Sequence, residues 1–124
     1  MTKVKICGLS TMQDIEAVNE LLPNYVGFVF AKSIRQINQV TAKKLKEALD
    51  ERIKAVGVFV NEDIDTIISI CKENIIDMVQ IHGDEDESYL KELKSKTNKP
   101  IIRAFRIKSA EDILLAQNSC ADYI

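Results

Sequence analysis

Three residues with useful chemistry lie at the ends of short apolar runs of this chain or in the loops that follow them. Cys7 ends the run K-I-C, and His82, the only histidine of the sequence, follows V-Q-I. Arg35 lies in the polar stretch A-K-S-I-R-Q, which follows V-G-F-V-F. A cysteine thiolate can act as nucleophile or base, an imidazole exchanges protons near neutral pH, and a guanidinium pairs with carboxylate or phosphate through a planar fork. These side chains are therefore the candidate catalytic and binding residues.

Each candidate also has a purely structural interpretation. A cysteine at a strand end is more often a small buried residue than a reactive thiol, and an arginine in a polar loop is most often a solvated charge. Cys71 and Cys120 fall at helical or helix-end positions and are interpreted as structural. A helix N-terminus explains the acidic run 84–87 without a metal. The sequence has no nucleotide-binding or metal-ligand motif, so neither a cofactor nor a metal is predicted.

Apolar runs predict the strands that would position these residues. The runs YVGFVF and IKAVGVFV are apolar on both faces, as buried parallel strands are. Between the runs the apolar period becomes helical, as at Ile64, Ile67 and Cys71. Strands are expected at 3–7, 25–30, 53–60, 76–81, 100–106 and 121–124. Helix starts are marked by Ser10 with Gln13, by Thr41, by Asn61, by Asp84 with Glu87, and by Ser109.

This alternation of strands and helices predicts an α/β fold with a parallel sheet and right-handed crossovers. An open doubly wound sheet fits the length, whereas a TIM (β/α)8 barrel fits the even spacing of the strands but requires eight of them. The chain stops at Ile124, inside the predicted sixth strand. We therefore expect one domain over 1–124, an incomplete barrel of about five and a half βα units. In both architectures the site lies at the carboxyl ends of the strands, where Cys7, Arg35, Asn61 and His82 would meet.

Composition excludes several classes of protein. The net charge of −2, with basic and acidic residues interspersed, gives no basic field for nucleic acid. No apolar run approaches the roughly 18 residues that a membrane span needs, and the amino terminus lacks a signal-peptide core. Three cysteines without paired spacing favour reduced thiols in the cytoplasm.

Taken together, the motifs resemble those of the phosphoribosylanthranilate isomerase family. They are K-I-C-G at 5–8, V-G-F-V-F at 26–30, K-S-I-R at 32–35, V-G-V-F-V-N at 56–61 and V-Q-I-H-G at 79–83. They follow the family's order, and the sequence departs mildly at Ile34, where the family more often has lysine. The resemblance implies a TIM barrel of tryptophan biosynthesis. It also implies an Amadori rearrangement of a small phosphosugar–anthranilate substrate without metal or cofactor.

The resemblance also implies roles for single residues. Cys7 matches the general base, Arg35 a residue close to the anthranilate carboxylate, and His82 a pocket residue that positions or polarises the substrate. The family's general acid is an aspartate at the end of the sixth strand, beyond Ile124, and Asp122 lies at the wrong end of that strand to replace it. Strands seven and eight, whose loops usually bind phosphate in such barrels, would also follow.

The 124-residue chain by itself is therefore expected to be inactive and to self-associate through open barrel edges. Two alternatives remain at this point. One is a non-catalytic half-barrel that serves folding or assembly, and the other is a different phosphosugar-processing barrel of amino-acid biosynthesis.

Overall fold

A five-stranded parallel sheet forms the centre of the computed structural model, which describes residues 3–104, 110–111, 119 and 121. The strands are β1 Lys5–Cys7, β2 Tyr25–Val29, β3 Lys54–Phe59, β4 Met78–Ile81 and β5 Ile101–Arg103. The helices are α1 Met12–Leu21, α2 Gln39–Ala48, α3 Ile64–Lys72 and α4 Glu87–Lys96. Within the described residues, no helix has the length and apolar character needed to cross a membrane.

Strand order and register distinguish the two predicted architectures. The strands lie in the order β1-β2-β3-β4-β5, so the order never reverses as it does in a doubly wound sheet. Cys7 is the register partner of Gly27, Gly27 of Val56, and Val56 of Met78. Cys7 is the last residue of β1, whereas β4 continues for three residues beyond Met78, to Ile81. A stagger of about one residue per strand matches an eight-stranded barrel with a shear number of 8. The predicted barrel is confirmed, and the doubly wound alternative is wrong.

The sheet is also curved as a barrel wall must be. Lys5 Nζ donates a hydrogen bond to Gln80 Oε1, although two strands lie between β1 and β4. In a flat sheet, three strand spacings would separate β1 from β4 by about 14 Å. The contact agrees with a sheet that bends towards the face that carries both side chains.

The two faces of the sheet have different surroundings. Side chains that point to the helices enter one apolar core, in which Phe28, Phe59 and Ile81 pack against Ile15 and Ile67. The opposite, concave face corresponds to the barrel interior. It carries Lys5, Cys7, Tyr25, Gly27, Val56, Val58, Met78, Gln80 and Ile102. Cys7 therefore belongs to the interior face and not to the core under the helices.

Element boundaries differ in detail from the predicted ones. Strands β1 to β4 are shorter than predicted by one or two residues at their ends, because the flanking residues turn into the loops. Strand β5 begins one residue later than predicted, and residues 105–106 of its predicted range lie outside the described residues. Apart from Ala121, the predicted sixth strand lies outside the described residues, as do Ser109, Cys120 and Asp122. The single-domain assignment over 1–124 stays a prediction.

Four predicted helix starts are wrong by one to three residues. The caps are Thr11, Asn38, Asp63 and Asp86. They replace the predicted Ser10, Thr41, Asn61 and Asp84. In the first case a capping box does form, but between Thr11 and Asp14, because Thr11 Oγ1 accepts the Asp14 N–H at 3.1 Å. The neighbouring candidates have other bonds: Asn61 Oδ1, for instance, accepts the Asp84 N–H at 3.2 Å.

Candidate active site

Cys7 is the last residue of β1, on the concave face of the sheet, and its thiol is free and exposed. Its partner in the register on β2 is Gly27. A Cβ atom at residue 27 would lie 2.6 Å from Cys7 Sγ and 3.2 Å from Cys7 Cα, distances at which one of the atoms must move. The glycine thus leaves the space that the thiol occupies.

Arg35 is held by a folded loop after β2. The loop over residues 31–36 is closed by a bridge between Val29 and Gln36, and the Gln36 side chain donates to the Phe30 carbonyl at 3.1 Å. Inside the loop, the Arg35 N–H donates to Ser33 Oγ at 3.1 Å. These bonds fix the backbone from which the exposed guanidinium extends.

Gly8 directly follows Cys7 and lies against the Arg35 side chain. Its φ of +83° lies in the left-handed region that glycine tolerates best. A Cβ at this position would lie 2.4 Å from Arg35 Cδ and 2.8 Å from Arg35 Nη1. The Arg35 side chain therefore crosses the chain directly after Cys7, with only the bare backbone of Gly8 beneath it.

Cys7 and Arg35 line one cavity of about 440 Å³, which extends from the carboxyl edge of the sheet along β1 and α1 as far as Leu21. Asp14 also lines it, and its carboxylate accepts the Ser10 N–H at 2.9 Å and the Thr11 N–H at 3.1 Å. The Ser10 hydrogen bond in particular lowers the pKa of Asp14 below its ordinary value, and the charge of Arg35 adds to this effect. The cavity thus combines a thiol, a guanidinium that can bind an anion, and an ionised carboxylate.

His82 lies at the same edge but outside this cavity. It directly follows β4, and its side chain is exposed. Its backbone N–H donates to the Phe59 carbonyl at 2.9 Å. Because β4 ends three residues beyond the register partner of Cys7, the barrel stagger places His82 near the height of Cys7 on the rim. The structure therefore brings Cys7 and Arg35 together and places His82 further along the same edge.

One polar cluster at this edge was missed by the sequence interpretation. The Glu85 side chain is only 2% exposed and pairs with Arg103 Nη1 at 3.1 Å. A helix N-terminus does not account for Glu85, so that explanation of the acidic run was wrong at this residue. The available signal was an arginine inside the apolar run P-I-I-R-A-F, since a buried cation needs a partner. Within the described residues, no group of three or more histidine, cysteine or acidic side chains is placed to hold a metal.

Comparisons with known proteins converge on one family. The profile of the N-(5'-phosphoribosyl)anthranilate isomerase family matches residues 4–123. A relative of that name from Lachnoclostridium phytofermentans is 50% identical over 121 residues, which is 98% of this chain and 56% of that protein. Another from Clostridium kluyveri is 45% identical over 124 residues, covering 100% of this chain and 61% of that protein.

Solved structures give the same result. Monomers generated from the dimeric phosphoribosylanthranilate isomerase of Thermotoga maritima superpose with a TM-score of 0.84 at 31% identity, over 95% of this chain and 60% of that chain. A phosphoribosylanthranilate isomerase in complex with reduced 1-(o-carboxyphenylamino)-1-deoxyribulose 5-phosphate superposes with a TM-score of 0.82 at 30% identity, over 95% of this chain and 60% of that chain. The chain thus spans little more than half the length of the curated relatives that it matches.

Proposed function

Because this chain belongs to the N-(5'-phosphoribosyl)anthranilate isomerase family, we propose that the complete protein catalyses that rearrangement in tryptophan biosynthesis. The substrate is N-(5-phosphoribosyl)anthranilate, and the product is 1-(2-carboxyphenylamino)-1-deoxyribulose 5-phosphate. The observation that carries the proposal is the cavity shared by Cys7 and Arg35 at the carboxyl edge of the sheet. The solved complex of a relative with a reduced form of this product supports the choice of substrate.

The reaction needs an acid and a base. Protonation of the furanose oxygen opens the ring to a Schiff base, after which loss of the C2' proton gives an enolamine that tautomerises to the ketone. We assign the removal of the C2' proton to the thiolate of Cys7, which then carries that proton. Arg35 holds the anthranilate carboxylate, because its fork can donate two parallel hydrogen bonds. His82 contacts the substrate from the β4 side of the rim.

The remaining functions belong to residues outside this chain. The resemblance assigns the general acid to the end of the sixth strand, and the phosphate site of such barrels lies in loops after strands seven and eight. The 124-residue chain alone therefore stays predicted to be inactive. Neither a metal nor a cofactor enters the proposal, and the predicted cytoplasmic location remains part of it.

The alternatives are less well supported. A half-barrel that only assists assembly has no need for a thiol and a guanidinium in one cavity. A different phosphosugar barrel would need relatives of another activity, whereas the relatives at 45–50% identity carry one name.

The test is an assay of the complete enzyme with N-(5-phosphoribosyl)anthranilate, in which the product is identified by mass spectrometry and by the NMR signals of its ketone form. Formation of the carboxyphenylamino-deoxyribulose phosphate without added metal is expected. Absence of this product, with a folded enzyme and intact substrate, would contradict the proposed function.

A further inference from the structure

We infer that Glu85 is a positioning residue, which acts by fixing the turn that carries His82 at the rim of the site. The inference rests on the proposed function, because it assigns a role within the same site. It follows from a network that joins the ends of β3, β4 and β5 and is buried at Glu85 and Arg103 but exposed at Asn61. This network is hereafter called the rim network, and it consists of Glu85, Asn61 and Arg103.

The two carboxylate oxygens of Glu85 bind different strand ends. Oε2 accepts the Asn61 N–H at 2.7 Å, directly beyond β3. Oε1 accepts from Arg103 Nη1 at 3.1 Å, at the last residue of β5. The Glu85 side chain is only 2% exposed and the Arg103 side chain 11%, so water screens the pair weakly. A buried carboxylate with a cation and a backbone N–H is held tightly, because leaving either charge unpaired is costly.

The rim network also contacts the turn after β4. Asn61 adopts a φ of +51°, and its Oδ1 accepts the Asp84 N–H at 3.2 Å. Between them, a Cβ at Gly83 would lie 2.7 Å from Glu85 Oε1 and 2.9 Å from Asn61 Oδ1. Gly83 is therefore packed against the network with no room for a side chain. His82 directly precedes Gly83, and its backbone N–H donates to the Phe59 carbonyl at 2.9 Å.

A further hydrogen bond connects helix α4 to the loop after β3. Tyr89 in α4 donates its hydroxyl proton to the Glu62 carbonyl at 2.6 Å, next to Asn61 in the chain. Burial, aided by the charge of Glu85, raises the pKa of Tyr89 to about 12, so the hydroxyl remains a donor at neutral pH. The loops after β3 and β4 are thus tied to each other from two sides, and Glu85 is the member that also reaches β5.

The chain offers a matched control at the opposite edge of the sheet. Asp77 Oδ2 accepts the Ala55 N–H at 2.8 Å and pairs with Lys46 Nζ at 2.7 Å. Asp77 is therefore also a carboxylate with one cation and one backbone N–H of the neighbouring strand, and at 29% its side chain is more exposed than that of Glu85. It lies before β4, at the amino edge, where no candidate site residue is found. Replacing either acid by its amide removes the same kind of interaction, and only one replacement affects the rim.

The kinetic test uses the complete enzyme with Glu85→Gln and Asp77→Asn, each made in the parent and in a His82→Asn background. A displaced site group can reduce the rate by about 10²-fold. Glu85→Gln is expected to lower kcat/KM by about that factor in the parent and to have little further effect in the His82→Asn background, because Glu85 acts on the rate only through the position of His82. Asp77→Asn is expected to leave kcat and KM unchanged. An equal loss from Glu85→Gln in both backgrounds, or no loss in the parent, would overturn the inference.

An NMR measurement keeps the inference testable without turnover. The ring resonances of His82, assigned by their loss in His82→Asn, are expected to shift or broaden in Glu85→Gln and to stay unchanged in Asp77→Asn. Unchanged His82 resonances in Glu85→Gln would refute the positioning role even if the parent enzyme is active. If the parent lacks turnover, the proposed function fails while this readout still decides the role of Glu85. If Glu85→Gln does not fold, the double variant Glu85→Gln with Arg103→Gln replaces it in both tests, because it removes the cation together with the carboxylate that pairs with it.

Discussion

At the scale of single residues, glycines determine where the reactive groups of this site can lie. Gly27 leaves room for the Cys7 thiol on the concave face, and Gly8 lets the Arg35 side chain cross the backbone directly beside it. The sequence shows the four glycines in or just after strands, but the atoms that fill their space come from other elements. Their specific partners could not be predicted without the register between β1 and β2.

Gly27→Ala is expected to displace the Cys7 thiol. The added Cβ would lie 2.6 Å from Sγ and 3.2 Å from the backbone Cα of Cys7, so the side chain and the strand must both adjust. We expect overpacking to lower the free energy of unfolding by about 1–3 kcal/mol and kcat by about 10²-fold. The measurements are steady-state kinetics and urea unfolding of the complete enzyme.

Gly57→Ala is the matched control for this variant. Its Cβ would meet Ile76 Cδ1 at 2.8 Å and Phe59 Cε2 at 3.0 Å, in the core under the helices. A similar loss of stability with kcat retained is expected there. If both variants lose stability and kcat in the same proportion, Gly27 has no special relation to the thiol.

At the scale of elements, the start of α1 connects helix stability to the site. Thr11 and Asp14 form a capping box, and Asp14 also lines the cavity of Cys7 and Arg35. Hydrogen bonds from the Ser10 and Thr11 N–H groups hold the pKa of Asp14 below its ordinary value of 3.8. Its stabilising effect is therefore complete above that value and is lost as the pH falls through the lower value of the folded state.

Asp14→Asn tests this pH dependence. At about pH 7 the parent is expected to exceed the variant by about 0.3–1 kcal/mol in free energy of unfolding, the usual effect of an anion in a first helical turn. The difference should begin to shrink below about pH 4, where the carboxylate of the unfolded chain becomes protonated, and should vanish as the pH falls through the lower pKa of the folded state. Urea unfolding of both proteins across this range measures it. Asn38→Ala removes the uncharged cap of α2, and its cost should not follow the same titration. A constant difference between Asp14→Asn and the parent down to about pH 3 would refute the linkage.

The element order could be predicted from the sequence, but the helix starts could not. Each loop before a helix offers more than one capping residue, as Ser10 and Thr11 or Asp84 and Asp86 illustrate. The choice depends on contacts between loops that a single segment does not contain. Asn61 was a plausible cap, yet its side chain serves the turn after β4. The role of Glu85 could not be predicted from its own segment either, because its partner Arg103 lies 18 residues away.

At the scale of the whole molecule, the described strands form one continuous part of a barrel wall. Consecutive order, parallel register and a stagger of about one residue per strand all agree with this interpretation. Within the described residues, β1 pairs only with β2, so the other edge of β1 is open. Val4 and Leu21 near this edge are 51% and 73% exposed. An open strand edge with apolar neighbours favours association with a further strand.

The 124-residue chain is accordingly expected to self-associate through β1. Size-exclusion chromatography with light scattering should show dimers or larger species whose share rises with concentration. Val4→Lys places a charge at the open edge and should reduce association, whereas Val40→Lys changes an exposed residue of α2 and should not. A compact monomer at all concentrations would contradict the prediction.

We assign proton abstraction to Cys7, and one measurement tests this assignment most directly. Turnover of N-(5-phosphoribosyl)anthranilate is compared for the complete enzyme, Cys7→Ser and Cys71→Ser. Cys71 is a buried thiol of α3 whose pKa is raised by burial, and its replacement should leave turnover unchanged. Cys7→Ser is expected to lower kcat by about 10²–10⁴-fold with the fold intact, because an alcohol is a far weaker base than a thiolate. A Cys7→Ser enzyme that retains the parent's kcat would show that Cys7 is not the base.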